Sequence, residues 1–227
     1  MTKLRTALVP GWRAVQQNAK PFIFIQVALF ACAAAYYLVP QVAAVALRLA
    51  DLKVQTGLLG AGFANIVAGL VLPQVARLAT KQQTIAWSEV PFQFLFFGLL
   101  GMMIDLLYQG LGVLFGQDPS VGNIIKKVLI DMFVATPFAS IPFSVLAFVW
   151  FHEKYRVSGV SARIKDGTLL PQYFSVLVTC WSFWIPAVTA IYAMPTDAVR
   201  FVLYLFAEAG WSLILVQMSA NASRTTS

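Results

Sequence analysis

Three carboxylic acids stand near the middle of long apolar stretches of the sequence: Asp105, Asp131 and Glu208. A charged Asp at the centre of a membrane helix costs about 2.5–3.5 kcal/mol on insertion scales. Each acid therefore needs a partner, a proton or a wet cavity, and an ionisable residue inside a membrane is by default a functional-site candidate. Acids along a water-filled path would favour cations.

Basic and amide side chains complete a candidate polar network. Lys127 precedes Asp131 by four residues, so both would lie on one face of a helix. This pair predicts either a structural salt bridge or part of a polar gate. Asp105 has no basic residue on its own helix and could pair with Arg77 or Lys126 across helices. The pore-lining or polar-network candidates are Asp105, Lys127, Asp131, Glu208, Asn65 and Arg200.

The motifs of common catalytic and metal centres are missing. There is no phosphate-cradling Gly-rich loop ending in Lys-Ser/Thr and no paired-His helix. The single His152 cannot build a metal cluster alone and is interpreted as an interfacial polar residue. Cys32 and Cys180 lie in apolar runs and are interpreted as small buried hydrophobes. We predict no enzyme, cofactor or metal site; the alternative is an intramembrane acid pair of Asp105 and Asp131.

The composition predicts an integral membrane protein. Of the 227 residues, 59% are hydrophobic and 11% are charged, and the mean hydropathy is +0.76. A soluble domain carries about 25% charged residues. The net charge of +7 does not indicate a nucleic-acid partner, because no Lys/Arg-rich stripe interleaves with aromatic residues. The basic loops instead predict contact with the lipid bilayer and its anionic headgroups.

Apolar stretches predict an all-α, polytopic membrane helix bundle of about six transmembrane helices. A helix needs about 20 apolar residues to cross a ~30 Å hydrocarbon core. Pro40 should kink or end the first span. Pro137 and Pro142 lie inside the fourth, where neighbouring helices can satisfy the freed carbonyls. The predicted spans cover residues 22–47, 56–76, 91–115, 123–150, 171–194 and 198–219.

Charges and composition divide the chain into four predicted parts. These are a basic interfacial N-terminal helix (1–20), an additional transmembrane span (21–55), a membrane helix bundle (56–219) and a polar C-terminal tail (220–227). Residues 1–20 contain no acid and are also similar to an organelle-import presequence. Trp12 favours an attached helix at headgroup level. With six spans, eleven Lys/Arg fall on the side of both termini and five on the other, as the positive-inside rule requires.

Small residues in the second and third spans predict close helix packing. Gly60, Ala64 and Ala68 recur at four-residue spacing, and Gly98 and Gly101 lie one turn apart. In lipid, such stripes let helix backbones approach closely. Glycines that line a narrow pore would produce the same pattern.

Motifs spread over most of the chain resemble the Mpv-seventeen and peroxisomal-membrane-protein family. The opening Trp12-Arg13-Ala14 is similar to the family's first helix, and the segment 57–77 to its first core span. Lys126-Lys127-Val-Leu-Ile-Asp131 with Pro137 is similar to the family's Lys, Asp-Gln and Pro run. Further matching positions are Gln16, Gly101, Tyr108, Trp181, Trp184, Pro186, Pro195, Arg200 and Trp211.

The chain also departs from the pattern of that family. The family's Gly-Asp in the first core span is Ala64-Asn65 here, and residues 22–55 are similar to an added span. The chain therefore resembles a divergent member with an extra N-terminal span, and 56–219 is the family-like part. Other departures are Gly69, Asp105, Leu107, Met132, Val188 and Ala190.

The resemblance implies a non-enzymatic protein linked to small-solute permeation, in the mitochondrial inner membrane first and the peroxisomal membrane next. Together with the mid-membrane acids it favours a channel or pore for small solutes or ions. In that hypothesis, Asp105 and Glu208 line the path. The alternative is a non-conducting accessory subunit of a larger membrane complex, such as a respiratory one, because several polar residues of the family are replaced. A homo-oligomer is also possible in either case.

Overall fold

The structure, a computed structural model, is built from helices throughout the regular part of the described chain. It describes residue 9 and residues 11–13, 15–81 and 84–225, with side chains described as far as Leu213. The predicted all-α helix bundle is confirmed. Buried side chains of several helices form one main hydrophobic core, which includes Tyr108, Phe183 and Phe201.

Long apolar helices make this chain a multi-pass integral membrane protein. Over the described residues, five helices have the length and composition of membrane spans: Ala19–Leu38 (α1), Pro40–Ala79 (α2), Trp87–Phe115 (α3), Val121–His152 (α4) and Leu169–Tyr192 (α6). The last helix contains the predicted span 198–219, and this sixth crossing stays a prediction. A short helix, α5 (Val157–Lys165), precedes α6, and this last helix is α7 (Asp197–Thr225).

The boundary between the first two spans differs from its prediction. Helix α1 ends at Leu38, and Val39 is extended, with φ −123° and ψ 104°. Pro40 then begins α2, because proline disfavours a helical residue before it and suits the first helical position. The predicted kink or end at Pro40 is confirmed. The helix that follows continues through residues 48–55, which the predicted spans leave out.

A backbone break divides α2. Its 40 residues would span about 60 Å as a straight helix, twice the ~30 Å hydrocarbon core. Gly57 interrupts it at φ 60° and ψ −146°, a conformation that suits only glycine. Residues 41–49 lie with the first turns of α7 around one apolar groove. The part that follows Gly57 packs against α3.

Helix–helix contact between α2 and α3 depends on residues without side chains. A Cβ atom at Gly101 would lie 2.4 Å from the Cβ of Asn65, and one at Gly98 would lie 3.3 Å from Ile66. Gly60 has no such role, since a Cβ there would meet Thr56 of its own helix. Ala68 is buried, Ala64 packs against the core, and Gly62 and Gly69 of α2 also lie against α3.

Replacing Gly101 by Ala is expected to destabilise the protein by about 1–3 kcal/mol, because the methyl group overpacks the α2–α3 contact. Gly110 provides the matched control on the same helix, since a Cβ there has nothing within 4 Å. Unfolding of the purified protein in mixed micelles by increasing SDS measures both changes. Equal stabilities of the two variants would contradict the packing assignment.

Helix α4 contains a π-helical segment, Asp131–Ser140. The chain continues without interruption from Val121 to His152, so the predicted fourth span is confirmed. π-Helical turns are rare and are frequently found at functional sites. Here the segment presents Asp131, Met132, Thr136 and Ser140 to a cavity.

Two prolines spaced by five residues fit this π register. A π-helix bonds each N–H to the carbonyl five residues earlier. Pro137 therefore leaves the carbonyl of Met132 without a donor, and Pro142 leaves that of Pro137. Helix α6 supplies both donors: Trp181 Nε1 donates to Met132 at 2.7 Å, and the hydroxyl of Tyr173 donates to Pro137 at 2.8 Å. The predicted satisfaction of the freed carbonyls by neighbours is confirmed.

Replacing Trp181 by Phe is expected to cost about 1–2 kcal/mol, because the Met132 carbonyl loses its donor inside the protein. Trp150→Phe on α4 is the control, since Trp150 is 40% exposed at the surface. SDS-driven unfolding, monitored by circular dichroism, compares the two. A loss for Trp150→Phe as large as for Trp181→Phe would argue against the bridge.

The bundle has two chemically different ends. At one, which we call the basic end, α4 finishes at His152 and α6 begins beside it, and Phe92 stacks on Phe151 at 4.4 Å. Eleven of the Lys and Arg residues belong to this side in the predicted threading. At the other end, which we call the capped end, α1 finishes at Leu38 and α6 at Tyr192. There the hydroxyl of Tyr37 donates to the carbonyl of Ala193 at 2.5 Å.

The terminal segments lie mostly outside the described side chains. Of the predicted N-terminal helix 1–20, residues 1–8, 10 and 14 are outside the description. Gly11 lies against Ser175 of α6, and Trp12 is 56% exposed. In the predicted tail 220–227, α7 continues to Thr225.

Candidate functional site

Helix α3 sorts its polar and aromatic residues onto two faces. Gly98, Gly101 and Asp105 follow one another at helical spacing, and this face meets α2. Phe96, Leu100, Ile104 and Tyr108 form a second stripe, which lines a cavity on another side. Asp105 therefore belongs to the α2–α3 contact and not to the cavity wall.

Asp105 is held by a cation that the sequence analysis did not pair with it. Lys53 of α2 places its Nζ 2.5 Å from Oδ1 of Asp105, and Gln109 donates to Oδ2 at 2.9 Å. Asp105 is fully buried. The expected pairing with Arg77 or Lys126 is therefore wrong, and Asp105 does not line the cavity described below. The break at Gly57 follows Lys53 by about one helical turn, so Lys53 belongs to the part of α2 that precedes the break.

A second polar group closes the capped end of the bundle. Arg200 of α7 is fully buried and donates to the side chain of Gln117 at 2.7 Å and to its backbone carbonyl at 2.9 Å. The same guanidinium lies 2.7 Å from Asp197, and Gln117 donates to Asp197 at 2.5 Å. These bonds fasten the α3–α4 turn to the beginning of α7. Arg200 is thus part of a polar network that ties helix ends together.

Lys127 joins this capped end and does not pair with Asp131. Its Nζ donates to the carbonyl of Gly116 at 2.6 Å, and its side chain is buried. Among the ion pairs of the described residues, Lys127–Asp131 is missing, so the predicted salt bridge is wrong. The backbone N–H of Asp131 still bonds to the carbonyl of Lys127, so the two residues share one α-helical turn. Their side chains take different partners, because Lys127 reaches Gly116 and Asp131 accepts from Tyr192.

Several cations of the capped end are paired inside the protein. Of the five cations that the threading places at the capped end, three are engaged inside the protein: Lys53, Lys127 and Arg200. Arg48 and Lys126 are exposed. The surface of that end is therefore less basic than the sequence count indicates.

A cavity of about 480 Å³ lies between α3, α4, α6 and α7. Its inner part contains Asp131, Glu208 and Tyr108. Its other part reaches His152 and Gln172, which stand where α4 ends and α6 begins at the basic end. Between these parts, Ser140 and Ser144 of α4 add hydroxyl groups, and the remaining lining is mostly aromatic and aliphatic.

Asp131 and Glu208 are brought together on the walls of this one cavity. Both residues are only 4% exposed. The hydroxyl of Tyr192 donates to Asp131 at 2.7 Å, and that of Ser212 donates to Glu208 at 3.3 Å. Neither acid takes part in an ion pair of the described residues. Two of the three predicted acids thus share a compartment, and they come from different helices.

A layer of tyrosines separates the cavity from the capped end. The ring of Tyr108 packs edge-on against Tyr192 at 5.5 Å and against Tyr204 at 6.0 Å. Tyr204 donates to Asn65, whose amide in turn donates to the Phe97 carbonyl at 2.8 Å. Asn65, a predicted pore-lining candidate, is fully buried and holds this layer to α2 and α3.

Several functional contacts escaped the sequence analysis. Lys53 and Gln117 lie 52 and 83 positions from the partners Asp105 and Arg200, and no local pattern signals such pairs. Tyr192 and Trp181 carried a weak signal, since buried Tyr and Trp usually find a hydrogen-bond partner. The described residues contain no group of three or more His, Cys, Asp or Glu that could hold a metal ion. Cys32 and Cys180 are free thiols.

No protein-family model, curated protein or solved structure matches the chain. The resemblance to the Mpv-seventeen and peroxisomal-membrane-protein family therefore stays a prediction.

Proposed function

We propose that this protein is a membrane permeation protein for small solutes or ions, and that the cavity is its vestibule. The observation that carries the proposal is the placement of Asp131 and Glu208, on different helices, in one cavity that reaches the basic end. Two buried acids without a paired cation are costly in a membrane unless water, a proton or a solute compensates them. A solute path provides that compensation.

In this proposal, the structure is the closed state of the protein. A solute enters beside His152 and Gln172 and reaches Asp131 and Glu208. Beyond them, Tyr108 stands between the vestibule and the capped end with its two tyrosine neighbours. Opening requires these rings to separate, while Arg200 and its partners keep the helix ends together.

Planar bilayers that contain the purified protein test this function. We expect conducting events that appear with the protein and are absent from protein-free bilayers. Electrically silent bilayers over a wide range of voltage and pH, combined with no release of small neutral solutes from proteoliposomes, would contradict the proposal.

An accessory-subunit role is the second candidate, and the apolar groove between α1, α2 and α7 is the feature that favours it. This groove has a volume of about 370 Å³ and includes Tyr36, Val45 and Phe206. Native electrophoresis of gently solubilised membranes separates the two functions: co-migration with a large complex supports the subunit role. We propose no catalytic activity, and we place the protein in the mitochondrial inner membrane first and the peroxisomal membrane next, on the resemblance alone.

A further inference from the structure

We propose that the vestibule binds a small amphipathic organic ammonium ion between Asp131 and Glu208. This inference rests on the proposed function, because it names the solute class of the same cavity. Its first support is charge: within the described chain, the cavity lining contains two carboxylates and no Lys or Arg. An ammonium ion supplies the missing positive charge together with hydrogen-bond donors or a soft cationic surface.

Aromatic rings around the acids provide the second support. Trp184, Trp211, Tyr108 and Tyr204 all line the cavity. Cations are attracted to the faces of Trp and Tyr rings, and aromatic cages are a recurrent way of holding quaternary ammonium groups. A small inorganic cation keeps its water or takes oxygen ligands and gains little from such walls.

The volume of the cavity and its apolar lining indicate the size of the ligand and the nature of its uncharged part. A cavity of about 480 Å³ lies within the range of about 300–1,000 Å³ that is typical of small-molecule sites. The same lining contains Val188, Ile104 and Phe97, whose side chains offer no polar partners. The ligand class that fits both parts is an amine or quaternary ammonium ion with an apolar group of a few carbons.

Binding to the purified full-length protein in detergent tests this inference without any flux. The probe is phenyltrimethylammonium, and the readout is tryptophan fluorescence, because Trp184 and Trp211 line the cavity. tert-Butylbenzene has the same shape with carbon in place of the charged nitrogen. We expect saturable binding of phenyltrimethylammonium, at least tenfold weaker binding of tert-butylbenzene, and no competition by an equal concentration of potassium.

Charge-neutralising variants make the second arm of this experiment. Glu208→Gln and Asp131→Asn should each weaken phenyltrimethylammonium binding at least tenfold, whereas Asp118→Asn, an exposed acid of the α3–α4 turn, should leave it unchanged. Equal binding of both probes would reduce the cavity to an apolar pocket and overturn the inference. Competition by potassium would replace it with an inorganic-cation site, and the absence of a saturable signal would overturn the inference.

The binding measurement tests the ammonium site, and the flux measurement tests the permeation role. Ammonium binding without conductance and without solute release would retain this inference and reject the permeation role. Conductance without ammonium binding would do the reverse. The comparison of the two probes uses the unmodified protein, so it decides the inference even if a variant does not fold.

Discussion

Replacing Lys53 by Met should lower the free energy of unfolding by about 3–5 kcal/mol, the cost of removing one partner of a buried ion pair. Asp105 would keep Gln109 as its only described side-chain donor, inside the contact between α2 and α3. Unfolding in mixed micelles by increasing SDS, monitored by circular dichroism, measures the loss. Lys126→Met, at an exposed position, serves as the control and should change stability by less than about 0.5 kcal/mol.

A double variant distinguishes the loss of the ion pair from other effects of the substitution at Lys53. Lys53→Met with Asp105→Leu replaces both charges by apolar groups, and such replacements of buried ion pairs are often neutral or stabilising. Most of the stability lost in the single variant should therefore return. If Lys53→Met behaves as Lys126→Met does, or if the double variant is no better than the single one, the ion pair does not hold α2 against α3.

Neutralising both acids of the vestibule should remove most of its preference for cations. The double variant Asp131→Asn/Glu208→Gln keeps side chains of the same shape that can still accept hydrogen bonds from Tyr192 and Ser212. We expect the cation-to-anion permeability ratio, obtained from reversal potentials in planar bilayers under a salt gradient, to fall roughly tenfold, which corresponds to about 1.4 kcal/mol.

The control for this measurement is another loss of negative charge outside the cavity. Asp118→Asn removes one charge at the exposed α3–α4 turn and should leave the ratio almost unchanged. An effect of Asp118→Asn equal to that of the vestibule variant would assign selectivity to the surface charge of the protein. Unchanged selectivity in both variants would remove Asp131 and Glu208 from the path.

Span positions were largely predictable because lipid imposes a simple rule on composition. Stretches of about 20 apolar residues located α3, α4 and α6 to within a few residues. The exception lies between residues 38 and 57. The predicted spans leave residues 48–55 between them, where Asp51 and Lys53 stand, but Lys53 is satisfied by Asp105 and the segment is helical.

Placement of the acids was predictable only in part. Hydropathy alone marks Asp105, Asp131 and Glu208 as unusual, but it does not say which face of a helix each one occupies. The partners depend on neighbouring elements: Lys127 and Asp131 share one α-helical turn, but Lys127 bonds to Gly116 and Asp131 to Tyr192, and Asp105 faces α2. Partners such as Tyr192 come from distant parts of the chain and follow from packing, which no single-helix pattern encodes.

Thiol labelling of Ser144→Cys tests most directly whether the cavity is a water-accessible vestibule open to the basic end. The protein would carry Cys32→Ala and Cys180→Ala, and a membrane-impermeant methanethiosulfonate would be added to proteoliposomes from either side. Ser144 lines the cavity, whereas Leu146→Cys, two residues along α4, is the control for the exposed surface of the same helix. The account predicts rapid modification of Ser144→Cys from the basic end and slow modification of Leu146→Cys. Equal rates at both positions, or labelling of Ser144→Cys from the capped end alone, would contradict it.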